Sequence, residues 1–390
     1  MPVSTQRPAP LRTDASNDFA HRSMHTRVPA IIRETQQLNP DYPPLISDAL
    51  NALHDALQGN GPLPPLPPTA PDYDSWSRTL AQHKGATWLN TEWFVGETYF
   101  YRQLVEAVRW WETGRDPFAP KKAEEISSDA LWNALDHALA VPRERADERL
   151  AELFQHALWG NRIDLSYSVA AAHGSAWMAD DLLVDDRQVA VEHVLSRTGT
   201  VHIITDNAGT ELAMDLVLVD ALLDSDAPTA EGVVLHVKLH PTYVSDATAT
   251  DVLNFIHTLS LTGHNESVRA LGDRLEAAFE TGRLRLAPHF FWNSGDFLWE
   301  LPPRLLDVFR DAIIVIIKGD ANYRRMVGDA LWPPETPFRE VVSYFPAPLL
   351  ALRTMKSDPV VSLPQGLSQR LDSLDPEWRL NGRRGVIHCR

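Results

Sequence analysis

Four apolar runs in this 390-residue chain end in side chains that can do chemistry. The first, Val201-His202-Ile203-Ile204-Thr205, has the β-branched composition of a buried strand. It stops at Asp206-Asn207-Ala208-Gly209-Thr210-Glu211, where a helical pattern takes over. The second leads from Val237-Lys238-Leu239-His240 through a proline-containing loop to Val244-Ser245-Asp246. The third ends in Lys318-Gly319-Asp320-Ala321-Asn322-Tyr323-Arg324, and the fourth in Arg353-Thr354-Met355-Lys356. In an open α/β sheet, ligands bind beyond the carboxyl ends of the strands. Asp206 and Asn207, beside a helix N-terminus, can hold a hard cation and a phosphate together. Metal plus phosphate is the simplest chemistry that needs both signs of charge on one edge.

Each stretch also has a plain reading. Asp206, Asn207 and Asp246 are good helix caps, Asp320 and Asn322 are turn formers, and Arg353 and Lys356 are ordinary solvated charges. Carboxylate and amide oxygens suit Mg²⁺ or Mn²⁺, and no cysteine is at hand for a thiolate site. His236 and His240 share a strand face by period two; without a third clustered ligand they read as structural. The chain has no G-x-x-x-x-G-K-[ST] loop, no G-x-G-x-x-G after a strand and no G-x-S-x-G elbow.

The elements that must position these residues change in texture along the chain. Helical spacing runs over Phe19–Leu38, with Pro29 inside it, and over Leu45–Leu57. A proline-rich link follows at 59–68, expected to cross the surface of the helical region. Glu92–Trp111 is a helix dense in Trp, Tyr and Phe, which points to packing; Glu97 within it can reach a cleft or pair at the surface. Amphipathic helices follow at Ala130–Ala140 and Glu144–Leu158. After Leu182, apolar runs alternate with helices, at Leu182–Val184, Val201–Thr205, Gly232–Leu239, Ala312–Ile317 and Leu349–Arg353, and Gly385–His388 reads as an edge strand. This pattern predicts an α/β/α sandwich with a mostly parallel sheet over 181–390, preceded by an α-helical region over 1–180.

Composition narrows the function. Thirty-six Lys and Arg against 52 Asp and Glu leave a net charge of −16, which disfavours nucleic acid or an anionic membrane as partner. The single cysteine, Cys389, excludes an intrachain disulfide framework and suits a reducing cytosol. Ile313–Ile317 is too short to cross a bilayer, so a cytoplasmic protein is expected.

Taken in order, Asp206-Asn207-Ala-Gly-Thr-Glu211, Val244-Ser245-Asp246, Lys318-Gly-Asp-Ala-Asn-Tyr-Arg324 and Arg353-Thr-Met-Lys356 resemble the metal-dependent damage-control phosphatases. More narrowly, they resemble the sugar-phosphate subfamily marked by an R-T-x-K motif. Gly96-Glu97-Thr-Tyr-Phe-Tyr-Arg102 and Trp159-Gly-Asn161-Arg-Ile-Asp164-Leu165 are similar to that family's helical region. The resemblance implies that Asp206, Asn207 and Asp246 hold a divalent metal, Mn²⁺ or Mg²⁺, with Co²⁺ or Ni²⁺ as alternates. It places Glu211, Asp320, Asn322, Tyr323, Arg324, Arg353, Lys356, Asn161, Asp164 and Glu97 around a small phosphorylated metabolite, with hexose phosphates such as fructose 1-phosphate favoured. Lys356 and Arg324 would neutralise the transferred phosphoryl group, with attack by water or by Asp206 itself both open. A family member described as an S-adenosylmethionine-dependent protein-glutamate methyltransferase supplies a rival reading, and a non-catalytic metabolite-binding module supplies another. Neither protein partners nor oligomeric state can be read from the chain.

Overall fold

The computed structural model describes residues 7–160, 181–224, 230–261, 263 and 265–390. Its centre is a seven-stranded sheet: β1 Leu182–Asp185, β2 Thr200–Ile204, β3 Gly232–His236, β4 Leu284–Leu286, β5 Ala312–Lys318, β6 Leu349–Thr354 and β7 Gly385–Cys389. The order is β1-β7-β6-β5-β2-β3-β4, and every pairing is parallel except β6 with β7. β2, β3 and β5 are buried along almost their whole length. That is the reason they read as continuous β-branched runs and not as alternating ones.

Two expectations needed correction. Gly385–His388 is no edge: β7 lies between β1 and β6, with Val386, Ile387 and His388 buried. A last strand with both neighbours supplied by distant segments looks locally like a lone one. The edge beyond β3 is instead β4, whose three residues carry too short a pattern to stand out. The Trp-rich helix also ends early, at Ala107, because Arg109 adopts a left-handed backbone (φ 55°) and starts a separate turn at Trp110–Thr113.

Three apolar clusters organise the molecule. One lies on the sheet face covered by the helices Asp129–Leu139, Ala146–Trp159, Thr210–Leu222, Ala249–Leu259 and Glu266–Glu280. The helix Thr210–Leu222 is buried on all sides, as apolar residues distributed all round its axis require. A second cluster fills the opposite face with Phe291, Trp292, Phe309, Tyr323 and Trp378 among others. The third belongs to the N-terminal helices and is built on the helix Trp93–Ala107; Tyr243 and Val244 from the loop after β3 pack onto it. The helical region therefore leans on the loops at the carboxyl ends of the strands. The proline-rich link runs across it, with the Pro64 carbonyl accepting from Tyr99 and Gln103.

Candidate active site

The parallel ladder brings the ends of β2, β3, β5 and β6 to one edge: Ile204 pairs with His236 and Ile317, and Lys318 with Leu352. From β2 the chain moves to β3 on one side, and from β5 to β6 on the other. The gap between β2 and β5 is thus the switch point where open α/β sheets place ligands. Asp206 follows β2 and Gly319 follows β5 at this gap. Gly319 has φ +80°, and a Cβ there would lie 2.0 Å from an Asp206 carboxylate oxygen. Only glycine lets the two strand ends close to this distance.

Asp206, Asn207 and Asp246 come together. Asn207 and Asp246 form an isolated antiparallel bridge; the Asp206 carbonyl accepts from Ala247 N at 2.7 Å, and Ala208 N donates to the Ser245 carbonyl at 2.7 Å. The capping readings fail. The helix Thr210–Leu222 has Gly209 at its N-cap, and Thr210 N donates to Glu125 Oε1 at 2.8 Å. The helix Ala249–Leu259 is capped by Thr248 in a capping box with Asp251. Asp206 and Asp246 are therefore buried, 5% and 1% exposed, without the role that usually justifies such residues at a strand-helix boundary.

The surrounding charges are dense. Asn207 Nδ2 donates to Asp206 Oδ2 and Glu211 Oε2, both at 3.0 Å, and Ser245 Oγ donates to Asn207 Oδ1 at 2.5 Å. Lys318 Nζ lies 3.0 Å from both Glu211 and Asp215. Lys238 Nζ donates to the Trp292 carbonyl at 2.7 Å and sits 3.3 Å from Asp246 Oδ2. Burial first, then the Glu211 and Asp246 carboxylates, push Asp206 well above the usual carboxylate range, while Lys356 and Lys238 pull it back. Burial likewise raises Asp246 against the pull of Lys238. Burial pushes Asp215 up to about 7.

Buried carboxylates repelling one another suit a hard cation. Among the described residues no three His, Cys, Asp or Glu side chains form a ligand cluster of their own. An ion here would rest on two carboxylates, the Asn207 amide and waters, as Mg²⁺ and Mn²⁺ sites commonly do. The zinc reading does not survive: His236 meets His202 at 2.9 Å, whereas His240 lies past the strand against Asn293. A cavity of about 440 Å³ opens beside Asn207, Glu211, Ser245, Val244 and Glu125, within the roughly 300–1,000 Å³ range of small-molecule sites.

Other residues singled out from sequence take different positions. Asn322 Nδ2 donates to the Thr205 and Lys318 carbonyls, both at 2.9 Å, and so ties β2 to β5. Tyr323 is fully buried beneath Arg353, 4.2 Å from its ring. Arg353 is also buried; it bonds Asp320 at 2.7 Å, the Ser357 carbonyl at 2.8 Å and the Pro359 carbonyl. Asp320 accepts in addition from Lys356 N at 3.1 Å. The R-T-x-K arginine thus shapes the loop that presents Lys356. Arg324, expected at the phosphate, is held by Asp329 at 2.8 Å and Glu97 at 2.6 Å, and stacks 3.5 Å over Trp93. Asp329 and the distant Glu97 thus occupy this buried guanidinium. Asn161 and Asp164 lie outside the described residues.

Several site residues escaped sequence reading. Asp215, four residues beyond Glu211, had a helical-spacing signal. Lys238, Glu125 and Lys122 had none, because their partners are remote. Lys122 Nζ donates to the Asp246 carbonyl at 3.2 Å and to Asp251 at 2.7 Å, strapping the helix Ala119–Ile126 across the site.

A mostly parallel α/β sheet with buried acidic and amide oxygens at its switch point defines a class of metal- and phosphate-handling enzyme folds. The model of the damage-control phosphatase ARMT1-like domain matches residues 23–371, and the chain belongs to that phosphatase family. It is 31% identical over 377 residues to damage-control phosphatase ARMT1 of Mus musculus, covering 87% of this chain and 85% of that one. With the Homo sapiens protein of the same name the identity is 28% over the same shares. A crystal structure of a DUF89 family protein from Pyrococcus horikoshii has the same fold, with TM-score 0.51 and 15% identity over 95% of this chain and 97% of that one. Among the described residues no helix is long and apolar enough to cross a membrane.

Proposed function

We propose that this phosphatase hydrolyses small phosphorylated metabolites, hexose phosphates such as fructose 1-phosphate foremost, with a divalent cation, Mn²⁺ or Mg²⁺, held by Asp206, Asn207 and Asp246. The observation that carries the reading is the meeting of those three residues at the β2–β5 switch point, with Lys356 close enough to act on Asp206. A bound cation there supplies charge neutralisation at phosphoryl oxygens and acidifies a water molecule. Glu211 orients the Asn207 amide, turning its oxygen away from Glu211. Lys238 fixes the Asp246 carboxylate from behind. Lys356, on the loop that Arg353 shapes, meets the charge developing on the phosphoryl group. Residues 181–390 carry this chemistry and the helical region before them forms the cover. The acidic composition and single cysteine favour a cytoplasmic setting.

Phosphate release from a panel of phosphorylated sugars, measured with Mn²⁺, Mg²⁺, Co²⁺ and Ni²⁺, tests the reading. Turnover should vanish in EDTA and return with Mn²⁺, and fructose 1-phosphate should rank among the best substrates. Undiminished turnover in EDTA would sink the metal assignment. Methanol release from a labelled methyl donor, with no phosphate released from any sugar phosphate, would favour methyl transfer instead.

A further inference from the structure

Beneath the strand ends lies a lysine with no N–H to spare for a substrate. Lys318 closes β5, and its Nζ is 3.0 Å from both Glu211 Oε1 and Asp215 Oδ1. It also donates to the Ala157 carbonyl, at the end of the helix Ala146–Trp159. An ammonium has three N–H groups, and these three acceptors use them all. All three charged side chains are buried. Burial by itself pulls Lys318 down, but Asp215 and Glu211 hold it above the ordinary lysine range, so it stays charged. The Leu158 carbonyl accepts from Thr354 Oγ1 at 3.1 Å, and a Cβ on Gly160 would lie 3.0 Å from Glu211 Cα. The end of that helix therefore presses on the first turn of Thr210–Leu222, and Lys318 ties the two together.

What Lys318 holds is a third carboxylate beside the metal residues. Glu211 is gripped at both oxygens, Oε1 by Lys318 and Oε2 by Asn207 Nδ2 at 3.0 Å. The same Nδ2 donates to Asp206 Oδ2 at 3.0 Å, so Glu211 is one amide group removed from Asp206. A buried carboxylate in that position is drawn to a cation on Asp206, Asn207 and Asp246 unless another positive charge satisfies it. Mg²⁺ and Mn²⁺ sites that act on phosphates take one or two carboxylates and keep other positions for water and phosphoryl oxygens. A third carboxylate would bind the ion more tightly and take up one of those positions.

We propose that Lys318 is a positioning residue that withholds Glu211 from the cation, keeping the ion on two carboxylates with positions open for water and substrate. This rests on the metal assignment above. Calorimetric titration of Mn²⁺ into the metal-free protein, with phosphatase kcat on fructose 1-phosphate alongside, tests it. Lys318→Met should tighten Mn²⁺ binding about 10-fold as Glu211 turns to the ion, and kcat should fall at least about 10-fold. Mere structural damage would weaken binding instead. Two double variants keep the wild-type net charge. Lys318→Met/Asp215→Ala removes the buried pair as a unit, which protects the fold, and should tighten Mn²⁺ binding as the single variant does. Lys318→Met/Glu211→Gln should return to within a few-fold of wild type. Unchanged or weaker binding in the first two variants, tightening that persists without Glu211, or tighter binding with kcat undiminished would overturn the inference. A wild-type protein that binds no Mn²⁺ removes the metal assignment itself, and this inference with it.

Discussion

Two buried ionic clusters sit side by side in this protein and are built on opposite terms. Around Arg324, charges match: Asp329 takes two of its nitrogens, Glu97 a third, Arg27 faces Glu97 from outside, and Trp93 covers the guanidinium face. At the strand ends they do not. Among the described residues, the four carboxylates of Asp206, Glu211, Asp215 and Asp246 face three lysines, Lys238, Lys318 and Lys356, with Lys122 acting on Asp246 while itself paired to Asp116 and Asp251. A fully paired cluster is what a fold uses to join two regions, here the helical part to the sheet. A buried cluster short of positive charge among the described residues is where a cation would be drawn.

Breaking the unbalanced cluster should give the largest effect. Asp206→Ala should lower phosphatase kcat/KM by at least about 10³-fold, the upper range for losing one electrostatic group at a reacting centre. The metal-free variant should melt no lower than metal-free wild type, because a repelled carboxylate has been removed; a marked drop in melting temperature would place Asp206 in the structural class instead. Breaking the balanced cluster should do the reverse. Glu97→Ala should destabilise by about 3 kcal/mol in urea titrations, the low end for a broken buried pair because Asp329 still holds Arg324. The kcat of the folded fraction should stay within a few-fold of wild type, and a loss as deep as that of Asp206→Ala would erase the contrast. Gly319→Ala sharpens it with a smaller effect. Its new methyl strikes the Asp206 carboxylate, so kcat should fall about 10²-fold, as for a reacting group displaced by about an ångström. Retained activity in that variant would mean that the close approach of β5 to Asp206 is dispensable.

Much of the frame was legible in advance. The β-branched runs, the helices between them and the Asp, Asn and Lys residues at their ends appear where spacing and composition put them. Short or split elements, such as Leu284–Leu286 and the break at Arg109, went unread, and so did the helices Tyr73–Gln82 and Arg187–Leu195. The acidic half of the site was legible for the same reason: Asp206, Asn207 and Glu211 lie within six positions, on one strand end and one helical turn. The cationic half was legible only in part, through Lys318 and Lys356 at their strand ends. Arg324 looked available and is enclosed; Lys238 looked like an ordinary strand residue and faces Asp246.

What the chain's own order of residues determined, then, is the α/β pattern and the oxygens at its strand ends, because periodicity, propensity and turn chemistry act over a few neighbouring positions. Tertiary structure alone decided which cations meet those oxygens, the interior place of β7, and the pairing of Arg27 with Glu97. Glu97 and Arg324 are 227 positions apart, and a buried charge takes whichever partner the fold brings within about 3 Å. No local window contains that information.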